Sequence, residues 1–273
     1  MRAIRHRNSA RMNGKDVASL SVSLLLLVAG VILMNGCQGP SQPQVTATEP
    51  AQTAQATQTA EPAAEPEPSE PQIPLEPGEE IALFDGRTLG QWKKTDFGGQ
   101  GDVHIEDGAI HMDIGSYMTG ITWTGPVERM NYEITLDAQR VEGNDFFCGL
   151  TFPVAENPCT LILGGWGGSV CGLSNIGYYD ASENETTSFQ TFENGQWYHV
   201  RLRVVPEHIQ AWLDGEVLVN VETTGKKIDI RPEVDLCQPL GFATWMTTGA
   251  VRDIQLKKLA EDAGPIPVPE VTW

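Results

Sequence analysis

Between Asn194 and Glu222 the chain reads NGQWYHVRLRVVPEHIQAWLDGEVLVNVE. Tyr198, Val200, Leu202 and Val204 alternate with His199, Arg201 and Arg203, the period of a strand with one buried face. Ile209, Ala211 and Leu213 continue the apolar row, and Val217, Val219 and Val221 repeat it beyond Asp214-Gly215. An Asp-Gly pair between two alternating runs marks a hairpin, because both turn residues must adopt positive φ. Three strands with one apolar face do not stand alone in water and must cover a second sheet. The pattern predicts a β-sandwich.

The rest of the folded region agrees. Val103–Glu106 and Ala109–Met112 flank a second Asp-Gly turn, Asp107-Gly108. Tyr132, Ile134, Leu136 and Ala138 alternate with Glu133, Thr135, Asp137 and Gln139. Phe146, Cys148, Leu150 and Phe152 form an expected inward row that ends near Pro153 and Pro158. Leu161–Leu163, Gly241–Met246 and Arg252–Lys258 are further short strands, and no amphipathic helix exceeds two turns. Many short strands at this spacing give an all-β fold, a sandwich or jelly roll of antiparallel strands.

The folded region is only part of the 273 residues. Arg2, Arg5, Arg7, Arg11 and Lys15 precede the apolar run Leu24–Met34 and then Asn35-Gly36-Cys37, the layout of a secretory leader over residues 1–36. Cys37 directly after Gly36 resembles the bacterial lipoprotein cleavage box, although Asn35 is polar and Met34 replaces the usual Leu. That resemblance implies export to the bacterial cell envelope and a lipid anchor at Cys37. The alternative is an uncleaved span over Val17–Met34, just long enough to cross a bilayer. Residues 37–78 hold nine prolines between Gln38 and Gly78 and no aromatic residue. Such a composition cannot bury enough surface to order itself. It reads as a tether, reaching up to roughly 100 Å at about 3.1 Å per residue. Residues 79–260 are the sandwich domain, and 261–273 form a Pro-rich tail.

Removing residues 1–36 takes five basic residues and one acid from totals of 18 and 36, leaving a net charge of −22. Such a surface repels phosphate backbones and anionic headgroups, so nucleic acid is excluded as a partner while neutral sugars and cations remain open. Cys148, Cys159, Cys171 and Cys237 are an even set, open to three disulfide pairings in an oxidising compartment or to burial as free thiols. No Cys-x-x-Cys or neighbouring His supports zinc.

The order of several motifs carries a family resemblance. Leu83-Phe84-Asp85-Gly86 with Trp92, Glu106-Asp107-Gly108, Trp197 followed by Trp212-Leu213-Asp214-Gly215, Gly241-Phe242 and Val251-Arg252-Asp253-Ile254 resemble the 3-keto-disaccharide hydrolase domain family from about Ile81 to Leu259. The resemblance implies a concanavalin A-like jelly roll with a sugar-sized cleft. It also implies a chemistry: a ketone at C3 acidifies the C2 proton, a base removes it, and the enolate expels the glycosidic oxygen from C1. Such a site needs one base and one group that stabilises the enolate oxygen. It does not need the carboxylate pair of an ordinary glycosidase. The chain departs from the family at Val103, where Trp is common, at Asp145-Phe146 after Asn144, and at Ala243-Thr244-Trp245, where relatives carry polar residues.

Leu163-Gly164-Gly165-Trp166-Gly167-Gly168 lets backbone approach a ligand and leaves Trp166 projecting as a platform for a sugar ring, with Trp245 a second wall. The alternative is a loop folded over the core. Asp180-Ala181-Ser182-Glu183-Asn184-Glu185-Thr186 clusters hard oxygen donors, which can hold Ca²⁺, supply a general base, bind sugar hydroxyls or simply be solvated. Asp180, Glu183 and Glu185 are the candidate bases or metal ligands, and Asn144 and Asp145 are candidates for orienting the sugar. His104 points away from Val103 and Ile105, and His199, Arg201, Arg203, Gln210 and Trp212 share the polar side of the central hairpin. Three readings follow: an enzyme acting on 3-keto-glycosides, a carbohydrate-binding module without chemistry, and a structural envelope protein.

Overall fold

The structure, a computed structural model, describes residues 75–269. The leader, Cys37 and most of the tether lie outside the described residues, as does the end of the tail. Among the described residues, fifteen strands run in chain order. β1 (Glu80–Ala82), β2 (Trp92–Lys94), β3 (Val103–Glu106), β4 (Ala109–Met112) and β5 (Met118–Trp123) precede the long β6 (Tyr132–Glu142). β7 (Cys148–Val154), β8 (Asn157–Gly164), β9 (Val170–Ser174) and β10 (Ser188–Phe189) follow. β11 (Trp197–Val205), β12 (His208–Leu213), β13 (Glu216–Glu222), β14 (Gly241–Trp245) and β15 (Thr248–Lys258) complete the domain.

They form two antiparallel sheets. One has the order β13-β12-β11-β6-β15-β4-β3, with β1 also on β15; the other runs β10-β9-β8-β7-β14-β5-β2. The fold is an all-β sandwich, a jelly roll of antiparallel strands. Alternation decides which residues meet between the sheets: Ile134, Leu136, Val200, Leu202 and Ile209 from the first, and Cys148, Leu150, Phe152, Leu161 and Phe242 from the second, are all buried in one core. Trp92 lies in that core with its ring 5.0 Å from Trp123 and 5.4 Å from Phe242, and its indole N–H donates to the Leu83 carbonyl at 2.8 Å. The Tyr132 hydroxyl on β6 donates to the Pro153 carbonyl on β7 at 2.6 Å, tying one sheet to the other.

Three expectations need correcting. Val217 does not join the buried row: a bulge between Ala211 and Trp212 sets Trp212 opposite Val217 and Ala211 opposite Val219. The extra residue, Leu218, turns inward instead, and Val217 is 41% exposed. Phe146 is not inward either. It precedes the regular pleat of β7, and Phe147 takes the core position, edge-on to Phe192 at 4.9 Å. Pro153 and Pro158 do not end their strands: they face one another in the β7–β8 ladder, whose turn lies beyond them at Ala155-Glu156.

Among the described residues, Cys148, Cys159, Cys171 and Cys237 are buried free thiols rather than two disulfides. Cys148 pairs with Leu163 on β8, which separates β7 from β9 and Cys171. Two strand spacings, about 9–10 Å, exceed the roughly 7 Å that a disulfide spans between Cα atoms. Cys237 packs in a separate cluster on the far side of the seven-stranded sheet.

Candidate functional site

The outer face of the seven-stranded sheet is lined by unusually small residues. Gly120, Gly149, Thr160 and Ala243 project there, and the space they leave is filled by aromatic rings lying on the sheet. A side chain at Gly149 would meet the Phe146 ring at 3.2 Å, and one at Gly120 would meet Phe97 at 3.1 Å. Met118, Ala243, Val234, Cys237, Phe97, Phe146 and Trp245 make a second apolar cluster on this face, independent of the core. The segment Arg231–Cys237, a 3₁₀ turn after Arg231, crosses above β5 and β14 and forms one bank. Between this bank and the β8–β9 connection lies a cleft of about 200 Å³, walled by Phe146, Trp166, Trp245 and Met118 and edged by Asp145, Arg231 and Glu233.

Trp166 stands at the rim in a left-handed conformation (φ 50°, ψ 51°) and is 44% exposed. Gly164, Gly167 and Gly168 on either side also have positive φ, so the connection is a tight knot that only glycine accommodates cheaply. A bulky residue held in this region indicates a backbone determined by its surroundings. Those surroundings are identifiable: the Gly167 N–H donates to Asp145 Oδ2 at 3.1 Å, and Arg140 Nη1 donates to the Gly168 carbonyl at 3.4 Å. Across the cleft Trp245 is tilted against Tyr117 and Phe146, with centroids 5.7 and 6.5 Å away.

Arg231 is the charged hub. Its Nη1 donates to Asp180 Oδ2 at 2.7 Å and its Nη2 to Glu233 Oε1 at 2.8 Å. The hydrogen bond from Arg231 holds the Glu233 carboxyl below its ordinary value. Asp180 Oδ1 accepts from the Ser182 amide and hydroxyl at 2.9 and 2.7 Å, so both of its oxygens are engaged. The Asn184 amide is likewise turned inward, donating to the carbonyls of Leu173, Tyr179 and Asp180. Glu185 pairs with Lys226 at 2.6 Å. A guanidinium on Asp180 and an ammonium on Glu185 occupy the places a Ca²⁺ would need, so this loop does not fit a calcium site.

The expected residues therefore divide. Trp166, Trp245 and Asp145 share the cleft. Asp180 and Glu183 line an adjoining hollow, with Asn175 and Tyr178, that meets the cleft at Arg231 and Glu233. Asn144 is exposed outside the cleft lining, and Glu185 lies outside both hollows. Sequence reasoning missed Phe146, Arg231 and Glu233. The Phe146-Phe147 doublet was the available sign of a register break; nothing local in Ile230-Arg231-Pro232-Glu233 marks it as the bank of a cleft.

The polar side of the central hairpin is the outer face of the other sheet. There Glu133 binds Arg201 and Arg203, His199 Nδ1 lies 2.9 Å from Asp137, and Arg201 sits 4.8 Å over the Trp212 ring. The tail docks on it: the Ile266 N–H donates to Gln210 Oε1 at 2.7 Å, and Gln210 Nε2 donates back to the Ile266 carbonyl at 2.8 Å.

No curated protein matches the sequence. Among solved structures, the carbohydrate-binding module CBM66 from Bacillus subtilis is similar at 12% identity, over 62% of this chain and 96% of the other, with a TM-score of 0.41. A putative glycosyl hydrolase from Parabacteroides distasonis is similar at 16% identity, over 67% and 94%, with a TM-score of 0.44. A Bacillus subtilis protein of unknown function with a galectin-like fold is similar at 11% identity, over 66% and 94%, with a TM-score of 0.44. Residues 79–257, well over half of the chain, match the 3-keto-alpha-glucoside-1,2-lyase-like domain. The protein belongs to that family, and its folded part is a carbohydrate-active or carbohydrate-binding domain.

Proposed function

We propose that the domain holds a neutral glycoside in the cleft between Trp166 and Trp245 and acts on 3-keto-glycosides there. The observation that carries this reading is the meeting of aromatic walls with one guanidinium, Arg231, set between Asp180 and Glu233. Arg231 retains N–H groups beyond the two engaged by carboxylates, and these can receive the C3 ketone oxygen and the negative charge that develops on it. Asp180 positions the guanidinium. Glu233, held beside Arg231, takes the C2 proton. The C1–O bond then breaks, the departing glycosidic oxygen takes up a proton, and water adds across the resulting C1=C2 bond, oxygen to C1 and hydrogen to C2, to complete net hydrolysis. Incubating the full chain with 3-keto-trehalose should release glucose and a 3-keto product. R231K and E233Q should lower kcat by one or more orders of magnitude, whereas W166A should mainly raise KM. Unchanged turnover in R231K and E233Q contradicts the assignment.

A second reading is favoured by the state of the other carboxylates. Asp145 is bound to backbone amides and Asp180 to Ser182 and Arg231, in a cleft whose lining is mostly apolar. A carbohydrate-binding module without chemistry has the same appearance. Saturable binding of an unmodified oligosaccharide, with no product from any 3-keto-glycoside, would select it.

The leader composition and Cys37 support placement at the cell envelope through a lipid anchor, with residues 38–78 as the spacer. Replacing Cys37 by Ser should move the protein from the membrane fraction to the soluble one; retention in the membrane contradicts the anchor.

A further inference from the structure

On the outer face of the eight-stranded sheet, away from the cleft, the β3–β4 hairpin sets His104 directly opposite His111. Val103, Ile110 and Met112 point into the core, so alternation sends both imidazoles outward with Glu106 and Asp113 beside them. The rings lie nearly parallel, 5.3 Å apart at 19°. His104 Nε2 is 3.9 Å from Glu106 Oε2, and its Nδ1 is 3.6 Å from Asp113 Oδ2. One ligand atom from each of His104, Glu106 and His111 falls within 4.8 Å of the other two. The residue opposite His111 on β15 is Ala250, whose methyl does not crowd the imidazole from that side.

We propose that this hairpin is a binding site for a borderline transition-metal ion, Zn²⁺ in the first instance, with His104 and His111 as nitrogen ligands and Glu106 as the carboxylate. Two imidazoles and one carboxylate form a donor set suited to Zn²⁺, Ni²⁺ or Cu²⁺ and poorly suited to Ca²⁺ or Mg²⁺, which take oxygen. Metal–nitrogen distances of about 2.0–2.1 Å require the three side chains to close inward. Their partial exposure leaves the χ torsions free to do so, without moving the backbone. Asp113, on the other side of His104, is placed to orient that ring as an outer partner. The strongly acidic domain favours cation binding at long range. Because β3 is an edge strand, an ion bridging His104 to His111 clamps the sheet margin and stabilises the folded state by linkage.

Titration of the metal-free full chain with Zn²⁺ against a competing chelator tests this. The natural sequence should bind one ion at this site and unfold at a higher temperature when it is present. The H104Q/H111Q variant should lose both the binding and the thermal shift, while E106Q should bind severalfold more weakly. All three positions lie outside the core, so metal-free unfolding temperatures should stay close together. A double variant that binds Zn²⁺ as tightly as the natural sequence, or a natural sequence that binds none at micromolar free ion, overturns the proposal.

Discussion

Asp145 ties the two walls of the cleft together: its Oδ1 accepts the Phe146 amide at 2.8 Å while its Oδ2 accepts the Gly167 amide at 3.1 Å, next to Trp166. The carboxylate thus sets the positions of Phe146 and of the turn that carries Trp166. D145A should release the Trp166 turn and weaken glycoside binding severalfold. Its cost to stability should stay near 1–2 kcal/mol, the scale of hydrogen bonds to a partly exposed charged group. Calorimetric titration beside thermal unfolding separates the two effects. A variant with intact affinity contradicts the positioning role.

The bulge in the β12–β13 hairpin makes neighbouring residues unequal. Leu218 is buried and Val217 is exposed. L218A should cost about 2–5 kcal/mol, as expected for truncation of a core leucine, and V217A no more than about 0.5 kcal/mol. Equal costs, measured by urea unfolding, would mean that the register is wrong.

Glu133 gives the domain an acid-side dependence. Burial alone would push its carboxyl up, but the hydrogen bonds and charges of Arg201 and Arg203 outweigh burial and hold it below its ordinary value. A lowered folded-state value contributes stability that is fully present above the unfolded carboxylate range, about 4.3, and is lost as pH falls through the folded value. The stability gap between the natural sequence and E133Q should therefore be constant above about pH 5 and shrink on further acidification. Unfolding midpoints across pH measure it; a gap that does not change with pH contradicts the pairing.

Burial pushes the thiols of Cys148, Cys171 and Cys237 up to about 12, and that of Cys159 higher still. A buried thiol that stays protonated is a poor nucleophile. Iodoacetamide at pH 8 should leave these four unlabelled in the native domain and label all four in guanidinium, without a reductant. Disulfide-linked peptides from the natural sequence would contradict the free-thiol core.

The sheets were legible in the sequence because side-chain alternation and Asp-Gly turns are local signals. Tyr198 to Val204 and the Val103–Met112 hairpin follow their expected faces. The exceptions arise where the period slips. A bulge redirects Val217, and the doublet Phe146-Phe147 turns one ring to the cleft and the other to the core. Trp166 and Trp245 were visible as large aromatics in unusual settings. Arg231 and Glu233 were not, because their place at the cleft is set by a crossing segment packed against β5 and β14, more than a hundred residues apart in sequence. Asp145 shows the complementary limit: its residue type suggested a sugar contact, and it does line the cleft, but its hydrogen bonds to the Phe146 and Gly167 amides were not visible in the sequence.

The central claim is that Trp166 and Trp245 face one another across a saccharide site. The most direct measurement is an equilibrium titration of the full chain and of W166A/W245A with a 3-keto-glucoside, under conditions where turnover is followed in parallel. Saturable binding by the natural sequence and its loss in the double variant, with the unfolding temperature preserved, is the predicted result. Equal binding by both proteins, or none by either, would contradict it.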